Sequence, residues 1–215
     1  NKIGAKVDWC KHNSTFRLVV PAKEGDKDAF VNENGVNVTV DARMPVGFNN
    51  FARKLDEIVP GSYESCMAAF DLSTRMFNVF ECLDNPGKIP SVLKDVPDVL
   101  RMTTCTLKEG LDILGMPKKA QDIFNTYWCY MGVPASQFDF LYYLCVLHSY
   151  IKSGTGIPHN RSHEMSLAID KVIRDNDGDI WYNSEVTKII MKNGKPAGVV
   201  INGEKEVYGK YFICN

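Results

Sequence analysis

The spacing of apolar residues changes period along the chain. Near the start, the run TFRLVV closes at Pro21, the polar stretch AKEGDKDAF follows, and GVNVTV alternates with Val36, Val38 and Val40 on one side. A period of two predicts strands with one buried face, here a hairpin or two neighbouring strands. From about Phe48 to Ile151 the period lengthens to that of a helix. Phe51, Leu55 and Ile58 share one face before Pro60-Gly61 breaks the chain. Further helices are predicted in SYESCMAAFDLSTRMFNVFECL, in TLKEGLDIL and in PKKAQDIFNTYWCYM. Thr106 with Glu109 three residues on reads as a capping box, and Pro117 suits a first helical turn. Asp84-Asn85-Pro86-Gly87 and Gly132-Val133-Pro134 separate these helices.

The last part changes again. Residues 162–176 predict an amphipathic helix capped by Ser162, with Met165, Ile169, Val172 and Ile173 inward, closed by Asp177-Gly178. Strands are then expected in DIWYN, EVTKIIMK, AGVVI and KEVYGKYFIC, with Asn193-Gly194 and Asn202-Gly203 as the turns between the last three. Asn-Gly is a strong hairpin signal because both residues tolerate positive φ. The apolar run Tyr211–Cys214 predicts a buried strand, and its position at the end of the chain carries the expectation that it belongs to something larger. The fold class expected is α+β, a helical block with a β-sheet layer.

Composition narrows the function classes. With 25 basic against 26 acidic residues and 45% hydrophobic content, the chain can bury a core and carries no global field for nucleic acid or an anionic membrane. Seven cysteines form an odd set without a CxxC pair, so neither a zinc ribbon nor a thioredoxin motif is present, and a reducing, cytoplasmic setting fits best. The longest apolar stretch, FDFLYYLCVLHSYI, holds Asp139 and His148 and falls short of the roughly 20 residues a membrane span needs. It is expected as a buried helix.

Candidate chemistry is sparse. In HNRSHE, His159 and His163 stand four apart and would share a face if all of it were helical. The zincin spacing HExxH is absent, Pro158 and Ser162 place the helix start after His159, and no third ligand stands nearby, so no metal is expected. His148 in its apolar helix is read as a core or pocket-lining residue. Cys129 and Cys145 lack an activating neighbour in sequence. The aromatic residues Phe138, Phe140, Tyr142, Tyr143 and Tyr150 would build a core or equally line an apolar pocket. Neither G-x-G-x-x-G nor a P-loop occurs, so no usual cradle for a pyrophosphate is present.

The stretch from Gly132 to Asn215 resembles the middle of flavin-dependent oxidoreductases of the phytoene desaturase, carotenoid isomerase and retinol saturase family. The features that carry the resemblance are Gly132 and Pro134, Pro158, the helix from Ser162, Asp177-Gly178, Ile180, Val186 with Ile189, Gly198-Val199, and Phe212 to Asn215. The family's Gly-Gly turn is replaced by Asn160-Arg161. The resemblance implies a two-domain flavoprotein, with residues 1–157 as substrate-binding domain and 158–215 as a helix and antiparallel strands at the edge of the FAD-binding domain. It also implies a central piece lacking the N-terminal dinucleotide fingerprint and the closing flavin motif, inactive alone and retaining no FAD. Val186 would meet the adenine end of FAD through its backbone, with Glu185 and Thr187 as neighbours. Phe138, Tyr142, Tyr143 and His148 would wall the pocket of an apolar small-molecule substrate that is dehydrogenated, saturated or isomerised. His159 and Arg161 are weaker candidates for polar contacts. No catalytic residue and no oligomeric state is implied. Peripheral membrane contact is compatible with a lipid-soluble substrate, although no basic amphipathic helix argues for it. The alternatives are an amine oxidase-like flavoprotein and a non-catalytic module that binds an apolar ligand or a partner protein.

Overall fold

The computed structural model describes residues 3–214, apart from the side chains of Leu83, Asp84 and Pro86. Asn215, the last residue of the resemblance, lies outside the described residues. The architecture is α+β, and the chain divides into two compact units: one spans residues 10–157, and the other joins residues 3–9 to 158–214. Residues 3–9, expected at the head of a domain ending at 157, cluster with the C-terminal part.

The larger unit opens within β1 (Trp9–Lys11), from Cys10 on, followed by β2 (Ser14–Pro21), the short β3 (Phe30–Val31) and β4 (Asn37–Pro45). Strand β4 is central, paired antiparallel with β2 on one side and β3 on the other. The alternation does what its period requires: Val38, Val40, Ala42 and Met44 are all buried, while Val36, before the strand, stays exposed. On the other face Arg17 grips Asp41 with two hydrogen bonds of 2.8 and 2.7 Å, and Glu33 pairs with the same guanidinium.

Helices follow: α1 (Phe48–Ile58), α2 (Tyr63–Asp84), α3 (Ile89–Val92), α4 (Val96–Met102), α5 (Leu107–Ile113), α6 (Lys118–Phe124), α7 (Trp128–Met131) and α8 (Phe140–Ser153). The long α2 and α8 pack on one another, and the core forms where β4, α1, α2, α6 and α8 meet, around Met44, Phe51, Phe70, Phe124 and Tyr143. The Thr106–Glu109 capping box forms in full at the start of α5. The helix expected over residues 117–131 is instead α6, a 3-10 turn at Asn125–Tyr127 and α7, with Pro117 outside the first turn as the cap. At Tyr127 this path lets the phenol donate to the Thr15 carbonyl at 3.0 Å.

Strand β5 (Gly156–Pro158) pairs with β1 and leads into the second unit. There α9 (His163–Asp175) is followed by β6 (Val186–Lys192), β7 (Lys195–Ile201) and β8 (Lys205–Tyr208), an antiparallel meander with β7 in the middle. Asn193, Gly194, Asn202 and Gly203 all have φ between 51° and 78°, the left-handed backbone that two-residue hairpins demand. Asp177 is also left-handed at 58°, and the Gly178 amide donates back to the Ile173 carbonyl at 2.9 Å, which closes α9.

Two expected strands do not form. Residues 179–183 make a loop organised by Asp179, whose carboxylate accepts from its neighbour's amide at Ile180 and from the Trp181 indole, and Asn183 turns left-handed at φ 52°. Local side-chain bonds to the backbone outcompete the ladder there. The run 211–214 is not a strand either, and Tyr211 and Ile213 are 91% and 100% exposed. Tyr208 pairs with Gly198, so a continuation would face the start of β7 and run out of partner near Lys195.

Candidate functional site

Edge strand β6 is the first place to look. Val186 stands opposite Ile201, and the Asn202 amide donates to the Glu185 carbonyl at 2.8 Å. In an antiparallel ladder, backbone groups of successive residues point to opposite sides. Since Glu185 faces β7, the amide and carbonyl of Val186 face the open edge. The flanking residues fix this geometry. The Glu185 amide donates to Asn202 Oδ1 at 2.8 Å, and the Thr187 hydroxyl donates to the Val200 carbonyl at 3.3 Å while accepting from the Gly203 amide at 3.1 Å. An extra residue between the pairs Val186–Ile201 and Lys188–Val200 makes a bulge just after Val186, a feature common at sheet edges and binding sites. The Val186 side chain is itself half exposed.

The aromatic helix separates into two neighbourhoods. Phe138 lies against both Tyr142 and Tyr143, with ring centroids 5.7 and 6.0 Å apart. Tyr143 is wholly buried and donates its hydroxyl to the Phe124 carbonyl at 2.8 Å, so it fills the core; burial pushes that phenol far above its usual range. Tyr142 is 58% exposed on another face of α8, with its amide capped by Asp139 at 2.7 Å. The cavity that His148 lines, with Phe77, Glu81 and Lys152, includes none of the three among its lining residues.

His148 sits toward the other end of α8, 4% exposed, between Phe77 and Phe48 at centroid distances of 4.3 and 5.0 Å. Its Nδ1 is 2.9 Å from the Ser73 hydroxyl, which donates to the Phe70 carbonyl at 2.7 Å. Burial first and the nearby Lys152 charge second lower its pKa, which favours the neutral ring. Ser73 and Phe77, on α2, are the partners that sequence reasoning missed; they lie some 70 residues away, and only the one-turn spacing of His148 and Lys152 was visible locally.

The histidine pair does not share a helical face, because α9 begins at His163 and His159 lies before it. The His159 amide donates to the Asp8 carbonyl at 2.9 Å. Glu164 is occupied, one carboxylate oxygen accepting from the Asp8 amide and the other from the Asn160 amide, both at 2.8 Å. Ser162 holds the cap position but makes no side-chain cap bond. Arg161 is left-handed at φ 68°, a backbone conformation that favours glycine. Among the described residues no group of three or more His, Cys, Asp or Glu could hold a metal, and no helix is long and apolar enough to cross a membrane. Burial pushes the Cys145 thiol up to about 11, which keeps it protonated near neutrality.

No protein-family model matches the chain, and no curated protein matches it.

Proposed function

We propose that the chain is the substrate-binding portion and flavin-domain edge of an FAD-dependent oxidoreductase of the phytoene desaturase type, acting on an apolar small molecule. The observation that carries this reading is the outward donor–acceptor pair of the Val186 backbone on the open edge of β6, held by the bonds of Glu185 and Thr187 to the Asn202-Gly203 turn and β7. An adenine edge offers the complementary acceptor and amino donor, so the residues present fit that end of the cofactor. When bound, FAD would supply the two-electron chemistry. The chain's own part is to orient the cofactor at the β6 edge and to keep water from an apolar substrate in the helical unit.

The test is FAD titration, read by flavin fluorescence, of the protein expressed over its whole reading frame. Val186→Pro removes the outward amide at an edge position where proline is tolerated, and about a threefold to tenfold weaker affinity is expected from one lost hydrogen bond. Val186→Ala, which keeps the backbone pair, should bind within about twofold of the parent. Equal binding by all three proteins would overturn the reading.

A further inference from the structure

Between α2 and α8, wholly within the helical unit, lies a cavity of about 470 Å³ lined by Phe77, Glu81, His148, Ser149, Lys152 and Ser153 among others. We propose that it binds a small 2- or 3-hydroxy acid, with the ligand hydroxyl donating to His148 Nε2 and its carboxylate paired with Lys152. This site lies apart from the β6 edge and does not depend on the flavin reading.

The imidazole is set up for that role by its partners. The Phe70 carbonyl, which also accepts the Thr74 hydroxyl at 2.9 Å, is the nearer partner of the Ser73 hydroxyl at 2.7 Å; with the Ser73 proton assigned there, the 2.9 Å contact to Nδ1 becomes an Nδ1–H donating to the Ser73 oxygen. The proton on Nδ1 leaves Nε2 with a lone pair. His148 lines the cavity and its Nδ1 is engaged by Ser73, which leaves Nε2 as the ring nitrogen for a ligand there. Phe77 and Phe48 clamp the ring from two directions, which fixes where that lone pair points.

The other requirements come from helix geometry. His148 and Lys152 are one turn apart, which places their Cβ atoms about 6 Å from one another on the same face. An acceptor and a cation at that spacing match a molecule whose hydroxyl and carboxylate are separated by one or two carbons. Ser149 and Ser153 repeat the spacing beside them and offer hydroxyl donors to the same carboxylate. Glu81, the acidic group facing the cavity from α2, is paired with Lys88 at 2.5 Å, which lowers its repulsion toward an anion. The volume lies within the range of small-molecule sites, and the Phe77 ring supplies an apolar wall.

The probe is mandelate, with phenylacetate, which lacks only the hydroxyl, as its comparison; the readout is side-chain ¹⁵N NMR of the histidine-labelled chain. Mandelate should shift the His148 Nε2 resonance, which should show no directly attached proton, and should bind at least about fivefold tighter than phenylacetate. Lys152→Ala, an exposed change that spares the core, should weaken mandelate about tenfold. His148→Phe should abolish the preference for mandelate over phenylacetate. An Nε2 resonance unmoved by mandelate, a proton found on Nε2, or equal affinity for the two acids would overturn the proposal.

Discussion

Asp41 shows how much a single residue can set without being buried in a core. Its carboxylate accepts from Arg17 and Asn32, the Arg17 bond being the first reason its pKa lies below the ordinary value of 3.8. A carboxyl depressed by folding contributes stability above its unfolded pKa and loses it as pH falls through the folded value. Thermal melts of the parent and Asp41→Asn should therefore differ near about pH 7 and converge toward about pH 2, where both side chains are neutral. Residue-level features of this local kind were legible where both partners lie within a few positions. The Thr106–Glu109 box and the Asn-Gly turns formed as their spacing dictated. The His148–Ser73 bond was not legible, because the partners are 75 residues apart and only the packing of α2 on α8 brings them together. Nor could a sequence disclose which way the Val186 backbone faces, since ladder register decides it.

At the scale of elements, the junction of α5 and α8 depends on an absence. A Cβ on Gly110 would stand 2.3 Å from the Phe140 ring, and both residues are buried where the helices meet. Gly110→Ala would gain helix propensity but must displace a wholly buried aromatic ring, so a net loss of about 1–3 kcal/mol is expected in chemical denaturation. A glycine inside a helical pattern hints at such an approach without naming the neighbour. Among the elements that formed where expected, β2, β4, α1, α2, α8 and α9 carry their period over eight or more residues. The helix expected over 117–131 broke at a 3-10 turn, and two expected strands did not form. DIWYN was overruled by Asp179 and Asn183, and the run 211–214 has no strand to pair with among the described residues.

Over the whole molecule, apolar burial is uneven. Among the described residues, nearly all buried apolar side chains belong to the helical unit, Ala5 and Pro158 being the exceptions. In the other unit Met165, Leu167 and Ile169 of α9, Val186, Ile189 and Met191 of β6, and Tyr208 of β8 are all exposed. That quantity of apolar surface is characteristic of an interface rather than of a solvated face, and it accords with the proposal that this unit is the edge of a larger flavin domain. By itself it should be the less stable part. Native-state hydrogen exchange of the chain should find amides of β6–β8 opening at lower free energy than those of α2 and α8; equal protection would show that the sheet needs no cover. The amphipathic pattern of α9 was visible in the sequence, whereas the exposure of Met165, Leu167 and Ile169 was not, because periodicity marks an apolar face and says nothing of what meets it.

The central claim, that the chain belongs to a flavoprotein, is tested most directly by purifying the protein expressed over its whole reading frame and recording its visible absorption. The account predicts bands near about 370 and 450 nm from bound flavin. A folded, colourless protein that also takes up no added FAD would contradict it.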